Sequence, residues 1–496
     1  MGGRKVNKKV ICLLFVSFFL LSTSQGKALE KEERLWQDET VYYLMVDRFY
    51  SGSSKNNYKV DVLDESAYHG GDFAGISNKL DYIKEMGFTT IVLSPIFDNS
   101  QQSYRGDMVT DYYQTEEHFG SLEEFKQLVN EAHEKELKVI IEFVVDSISI
   151  EHEWANDDTK KDWYVENDRM LDLNLANEDV TDYLTEAVKW WMEETEIDGY
   201  YFDDIDVATP SFWSRFTTKI KEQDEDFFLV GKASSGELKD YDGIGFNSLM
   251  DTSLMPFLRT SFAKQDGSLE ESLRQTEMNI QTFQHPELLG TLLDDKTSTR
   301  FTYEIDASKD NPGTRWKVAL SYLYTTPGIP FVFYGSEIAL NGGEMPDNHQ
   351  LLGFKADQEL IDYIKLLGGL RQQLPALTRG TFEVLHEEPD FVLYKRQYES
   401  ETIVVAVNNS SETRYVTLSS QSLEENGELR GLLAGDLVRE NDGEYSFVID
   451  RERAEIYALT EKTGINFTYI VAIVMIWVVF SIFILLVMKR SGKRKI

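Results

Sequence analysis

From Val41 onward the chain alternates short apolar runs with longer stretches in which apolar residues recur at spacings of three and four. Short runs bounded by turn residues read as strands, and the three-and-four spacing as one buried face of a helix. Eight runs qualify as strands: 41–47 (VYYLMVD), 89–94, 137–145, 198–203, 227–232, 243–248, 290–295 and 329–335. Helical patterns lie between them, for instance over 122–136 and 180–196. Strands alternating with helices in this number predict an α/β fold, a closed parallel (β/α)8 TIM barrel, whose reactive residues sit at the C-terminal strand ends. A doubly wound open sheet competes with it, and no glycine-rich phosphate loop follows a strand to support that arrangement.

Past about Gly380 the period shortens to two, in runs such as FVLYKRQY, TIVVAVNN and YSFVID. Half-buried antiparallel strands alternate in this way. The division expected is a barrel over 30–379, with a short domain inserted in its third loop at 148–176, and a C-terminal antiparallel β-domain over 380–460. Both ends differ from this middle. Residues 1–26 join a basic start (Arg4, Lys5, Lys8, Lys9) to an apolar run and then small residues, the layout of a cleaved signal peptide. A short uncleaved anchor is the alternative. Residues 467–488 carry no charge and precede a basic tail at 489–496, which reads as a transmembrane helix with a cytoplasmic tail. The localisation expected is a single-pass protein of the cell membrane with its large N-terminal domain extracellular.

Charge narrows the partners. The chain has 50 basic and 85 acidic residues, for a net charge of −35. Such a surface repels nucleic acid and anionic lipid, and is indifferent to a neutral sugar. The single cysteine, Cys12, falls in the leader, so stability rests on the core and not on disulfides.

Three runs then carry a family likeness: YHGGDFAGISNKLDYIKEMGFTTIVLSPIF (68–97), VTDYYQTEEHFGSLEEFKQLVNEAHEKELKVIIE (109–142) and PGIPFVFYGSEI (327–338). Together they resemble the α-amylase family, glycoside hydrolase family 13, over about residues 36–460. The resemblance implies retaining chemistry on α-glucans with three carboxyls: a nucleophile, a general acid and a third that stabilises the transition state. A retaining pair stands about 5 to 5.5 Å apart.

The chain departs from that pattern at most of these positions. Where the family's fourth strand ends G-F-R-x-D, this one reads Gly199, Tyr200, Tyr201, Phe202, Asp203, so the nucleophile position is kept and its arginine is Tyr201. The general-acid glutamate after Gly231 is Lys232. The N-H-D of the seventh strand is Asp295, Lys296, Thr297, which substitutes the stabiliser by Thr297 and its histidine neighbour by Lys296. Ser147 replaces a sugar-binding histidine, and Arg105, Gly106 and Asp107 stand where an H-G-Y would supply a stacking ring. An ion pair of Asp203 with Lys232, with Lys296 nearby, is expected. Asp204, Asp206, Asp294 and Glu237 are further carboxyls, and none follows the family spacing.

The one cofactor the resemblance implies is calcium, through Asp146 and Asp172, or through Asn56, Asn57 and Asp72. With two of three carboxyls replaced, the expectation is an inactive, membrane-anchored protein that binds a glycan or a surface or membrane protein as a scaffold. The alternative is an active cell-surface α-glucan hydrolase or transglycosylase with non-standard catalytic residues.

Overall fold

The computed structural model describes residues 34–461 and 474–485, apart from 102, 235–237, 356–357 and 424–426. Eight parallel strands form one sheet: β1 (Val41–Leu44), β2 (Thr90–Leu93), β3 (Lys138–Glu142), β4 (Gly199–Phe202), β5 (Phe228–Gly231), β6 (Ser248–Leu249), β7 (Gly290–Leu292) and β8 (Ile329–Phe333). Their order is β6-β5-β4-β3-β2-β1-β8-β7, and a parallel bridge from Met250 to Gly290 joins the two ends into a barrel. Nearly every strand residue is buried. A strand covered on both faces has no polar side to alternate with, which is why the runs were continuously apolar.

Local chemistry fixes the helices between the strands. Ser121 and Glu124 form a capping box at the start of the helix Leu122–Glu134, and the Asn177 side chain caps Glu178–Thr195. The sixth strand does not run over 243–248. Gly243 and Gly245 have φ of +76° and +108°, and a Cβ on Gly245 would stand 2.1 Å from Thr217 Oγ1. That backbone cannot continue a ladder, so the strand begins at Ser248.

The third loop holds a small antiparallel sheet of Ser147–Ser149, Met170–Leu173 and Tyr164–Asn167. The C-terminal sheet also has eight strands: β9 (Thr381–Glu388), β10 (Phe391–Tyr398), β11 (Glu401–Asn408), β12 (Arg414–Ser419), β13 (Gly427–Gly431), β14 (Leu437–Asn441), β15 (Glu444–Ile449) and β16 (Arg453–Glu461). Their order is β9-β10-β11-β16-β13-β14-β15-β12, around a core that includes Phe391, Leu393, Val404, Leu429, Phe447 and Tyr457. β13 and β14 escaped the sequence reading because LVREN is mostly polar and GELRG is both polar and glycine-bearing.

The ends need correction. The leader 1–26 lies outside the described residues. Of 467–488, residues 474–485 are described and form a helical run. No helix among the described residues is long and apolar enough to cross a membrane. The membrane-spanning helix, the membrane as a partner and the cell-membrane placement built on it are therefore not upheld.

Candidate active site

The C-terminal ends of β3, β4, β5 and β7 bring five charged side chains together. Asp203 follows β4 directly, Lys232 follows β5, Glu142 ends β3, and Asp295 and Lys296 come from the turn after β7. Lys232 Nζ stands 3.4 Å from Asp203 Oδ1 and 2.9 Å from Asp295 Oδ2. Lys296 Nζ stands 3.0 Å from Asp203 Oδ2 and touches Glu142 Oε1. Asp203 is thus held between two ammoniums, each of which also holds a second carboxylate.

Burial and charge oppose each other in every member. Burial pushes the Asp203 carboxyl up, but Lys296 and Lys232 outweigh it and hold it below the usual carboxylate range. Asp295 is likewise buried, and Lys232 together with hydrogen bonds from Ser298 holds it below that range too. In Glu142 burial wins over Lys296 and leaves the carboxyl raised. Burial would lower both lysines, and their carboxylate partners raise them instead. Asp203 is therefore ionised at neutral pH and both lysines are charged.

The remaining site residues take supporting positions. Thr297 does not occupy a carboxyl's place at the site: its N–H and Oγ1 both donate to Asp295 Oδ1 at 3.0 Å, with Ser298 N at 2.8 Å. Tyr201 is buried beneath Asp203, its ring 5.4 Å from that of Tyr43. Arg105 turns to Asp107 at 2.5 Å and to Met345, and Asp107 also accepts from Ser103. Ser147 donates to Asp146. Asp204 and Asp206 receive the Ser234 hydroxyl and N–H. Asp294 accepts from Phe301 N and Ser336 Oγ beside Arg259, a buried brace and not a reacting group. Glu237 lies outside the described residues.

Two members were not singled out from the sequence. Glu142 lies inside the apolar run 137–145, where an acid is out of place unless it faces a cation, and that was the available signal. Tyr43 Oη donates to Glu142 Oε2 from the next strand but one, a contact between residues 99 apart in sequence.

Asp72, Asn57, Asp146 and Asp172, offered for calcium, all make hydrogen bonds within the protein. Both Asp72 oxygens accept backbone N–H groups, from Gly52, Gly75 and Ser53. Asn57 pairs with Ser51, Asp172 accepts from Asn167 and Asp146 from Ser147, and no contact joins Asn56 to Asp72. The three-carboxylate group found among the described residues is Asp98, Glu116 and Glu117, which shares no member with them.

Residues 43–170 and 154–362 match the family model described as alpha amylase, catalytic domain, and residues 380–457 match the alpha-amylase C-terminal domain. The solved α-amylase of Anoxybacillus is 47% identical, with a TM-score of 0.85 over 87% of this chain and 100% of that one. That of Geobacillus thermoleovorans, complexed with acarbose, is 43% identical with a TM-score of 0.83 over the same shares. The β/α-amylase of Paenibacillus polymyxa is 26% identical over 89% of this chain, which spans 39% of that protein's length. The intracellular maltogenic amylase of Bacillus subtilis strain 168 is 26% identical over 79% of this chain and 72% of its own.

These findings correct the functional expectation as well. The relatives are by name amylases, one of them intracellular, so the inactive extracellular scaffold partnered by a surface or membrane protein is overturned. The physical reason lies in the site. Inactivity was argued from the side chains at motif positions, whereas Glu142 and Asp295 bring two further carboxylates to Asp203 from positions that argument did not count.

Proposed function

Because the chain belongs to the α-amylase family, we propose that it is an α-glucan hydrolase or transglycosylase with Asp203 as nucleophile and Lys232 in place of the carboxylic acid. The observation that carries this reading is the Asp203 carboxylate at the end of β4, held ionised between two ammoniums. A carboxylate oxygen attacks the anomeric carbon as the glycosidic C–O bond breaks, giving a glycosyl ester, and the departing sugar oxygen takes its proton from solvent. Water, or a second sugar hydroxyl, then displaces Asp203 and loses its proton to solvent.

Lys232 changes how the leaving oxygen is served. Its ammonium is raised above the ordinary lysine range, so it gives up a proton reluctantly. It acts by placing a positive N–H donor where negative charge develops on the departing oxygen. Asp295 anchors that ammonium, and Lys296 supplies the cation that Tyr201 does not. Rates then depend on how well the leaving group bears charge. Substrates such as α-maltosyl fluoride or a nitrophenyl α-maltoside are favoured over starch by far more than in an enzyme with a carboxylic acid.

The test is turnover of α-maltosyl fluoride by the full-length chain, beside Asp203→Asn and Lys232→Glu. Fluoride release abolished in Asp203→Asn, with the starch-to-fluoride rate ratio rising in Lys232→Glu, is the expected result. No fluoride release from the wild-type chain, or release unchanged in Asp203→Asn, overturns the proposal.

A further inference from the structure

Lys296 reaches Asp203 and Glu142 from a turn that is held on two sides. On one side the turn folds around Asp295, which accepts the N–H groups of Thr297 and Ser298. On the other lies the segment 339–354 that follows β8. His349 Nε2 stands 2.7 Å from the Lys296 carbonyl oxygen. Asn348 Nδ2 stands 3.3 Å from that same oxygen and 2.8 Å from the Ser298 carbonyl. Both Asn348 and His349 are fully buried.

The His349 ring has one arrangement of its protons that serves both of its neighbours. A carbonyl oxygen only accepts, so Nε2 carries the hydrogen. Nδ1 is then a bare acceptor and takes the hydroxyl hydrogen of Tyr104, whose Oη stands 2.9 Å away. Burial drives the imidazole down to about 3 and pushes the Tyr104 hydroxyl up, so at neutral pH the ring is neutral and the phenol protonated. Tyr104 is fixed in its turn. The Arg48 guanidinium carbon lies 3.8 Å from the Tyr104 ring centre, and Arg48 Nη1 donates to the His349 carbonyl at 2.9 Å. Arg48 is itself paired with Asp47 at 2.7 Å. A chain of fixed donors thus runs from the residues after β1, through Tyr104 and His349, to the turn that carries Lys296.

We propose that His349 is a positioning residue, which sets the Lys296 backbone so that its ammonium lies against Asp203. It acts through the Lys296 carbonyl. The need is physical, because a lysine carries its charge on a flexible stem and finds one place only when its backbone is fixed. Lys296 Nζ stands 3.0 Å from Asp203 Oδ2, and a displacement of about 1 Å in a site group can cost about a hundredfold in rate. Asn348 does not duplicate the role, since its one amide nitrogen is divided between two carbonyls and the contact with Lys296 is the longer of the two. What Lys296 does in the reaction rests on the function proposed above. How it is held rests on these hydrogen bonds alone.

The test is competitive acetylation of the full-length chain with acetic anhydride, read lysine by lysine by mass spectrometry, in wild type, His349→Leu and His349→Gln. Glutamine places an amide N–H where Nε2 stands, whereas leucine fills the space without a donor. In His349→Leu, Lys296 is expected to react about tenfold faster, the effect of one pKa unit on the free amine. Lys232, which follows a different strand, does not react faster, and His349→Gln keeps both wild-type rates. The kcat for fluoride release from α-maltosyl fluoride should fall about tenfold in His349→Leu with KM unchanged, and recover in His349→Gln. The proposal is overturned if Lys296 keeps its rate in His349→Leu, if Lys232 accelerates with it, or if the two variants behave alike. Should His349→Leu not fold, Tyr104→Phe, which removes only the hydroxyl that orients the ring, decides by the same comparison of Lys296 with Lys232. A wild-type chain that releases no fluoride overturns the reaction proposed above, and the acetylation rates still decide whether His349 holds Lys296.

Discussion

Lys232 and Lys296 have side chains 4% and 16% exposed, and each is shared by two carboxylates. Removing one partner from such a network leaves uncompensated charge in a poorly solvated place. Lys232→Met is expected to cost about 3 to 5 kcal/mol, because Asp203 and Asp295 would then lie side by side without their common cation. Urea unfolding measures it. The same measurement on Lys232→Met/Asp295→Asn should show a smaller loss than the sum of the single changes. The pairing of Asp203 with Lys232 could be anticipated from adjacent strand ends, since β4 and β5 pair in register from Gly199 and Phe228 onward. The roles of Glu142 and Thr297 could not. Motif spacing says which residue stands at a position, not that Thr297 turns back to Asp295 or that a third strand's acid reaches Lys296.

Titration follows from the same residues. Asp203 and Asp295 have depressed carboxyls in the fold, so the stability they contribute is present above the ordinary carboxylate range and is lost as pH falls through their folded values. Asp47 behaves oppositely. Burial raises it to about 6 against the pull of Arg48, so the folded state binds its proton more tightly than the unfolded chain does. Stability therefore falls as pH rises from the ordinary carboxylate range to about 6. Burial raises Asp251, Asp294 and Glu337 in the same direction. The thermal midpoint is expected to be higher at about pH 5 than at about pH 7.5, and to drop below about pH 3.5. A midpoint that rises between pH 5 and 7.5 would contradict the assignment of these buried carboxyls.

At the scale of elements, the closeness of β4 and β5 is what puts Asp203 within reach of Lys232. Gly199 makes that spacing possible: a Cβ there would stand 2.4 Å from the Phe228 carbonyl oxygen and 3.2 Å from Ile140. The obstruction is backbone, which cannot swing aside. Gly199→Ala is expected to cost about 1 to 3 kcal/mol, measurable by denaturant unfolding, and to lower fluoride release by separating the two strand ends. Seven of the barrel strands were legible because burial on both faces leaves an uninterrupted apolar run. The sixth was displaced because positive-φ glycines look the same in sequence whether they end a strand or precede one. β13 and β14 stayed hidden for a related reason. Arg430, Arg439 and Glu428 are held by ion pairs and not by apolar burial, so no alternation marks them.

Over the whole molecule, buried polar contacts help to join the barrel to the C-terminal sheet. The Asn409 side chain, just after β11, donates to the carbonyls of Ser261 and Gly267 at 2.8 Å each and accepts from Arg315 Nη1 at 2.7 Å. Arg315 also reaches Glu452 at 3.0 Å, and Asn409 is fully buried. Nearby, Arg396 donates to the carbonyls of Thr325, Thr381 and Gly380, and Arg371 to those of Tyr324 and Gly328. A junction of this kind has direction, since each donor meets one oxygen, and it leaves costly orphans when a member is removed. Asn409→Ala would strand two carbonyls and one guanidinium N–H in a buried place, at about 2 to 4 kcal/mol. The Arg396 guanidinium, donating from the sheet to the Thr325 carbonyl, would still tie the sheet to the barrel. Calorimetry should accordingly show one cooperative transition at a lower temperature, with no second peak. Two separated peaks would mean that Asn409 alone couples the C-terminal sheet to the barrel.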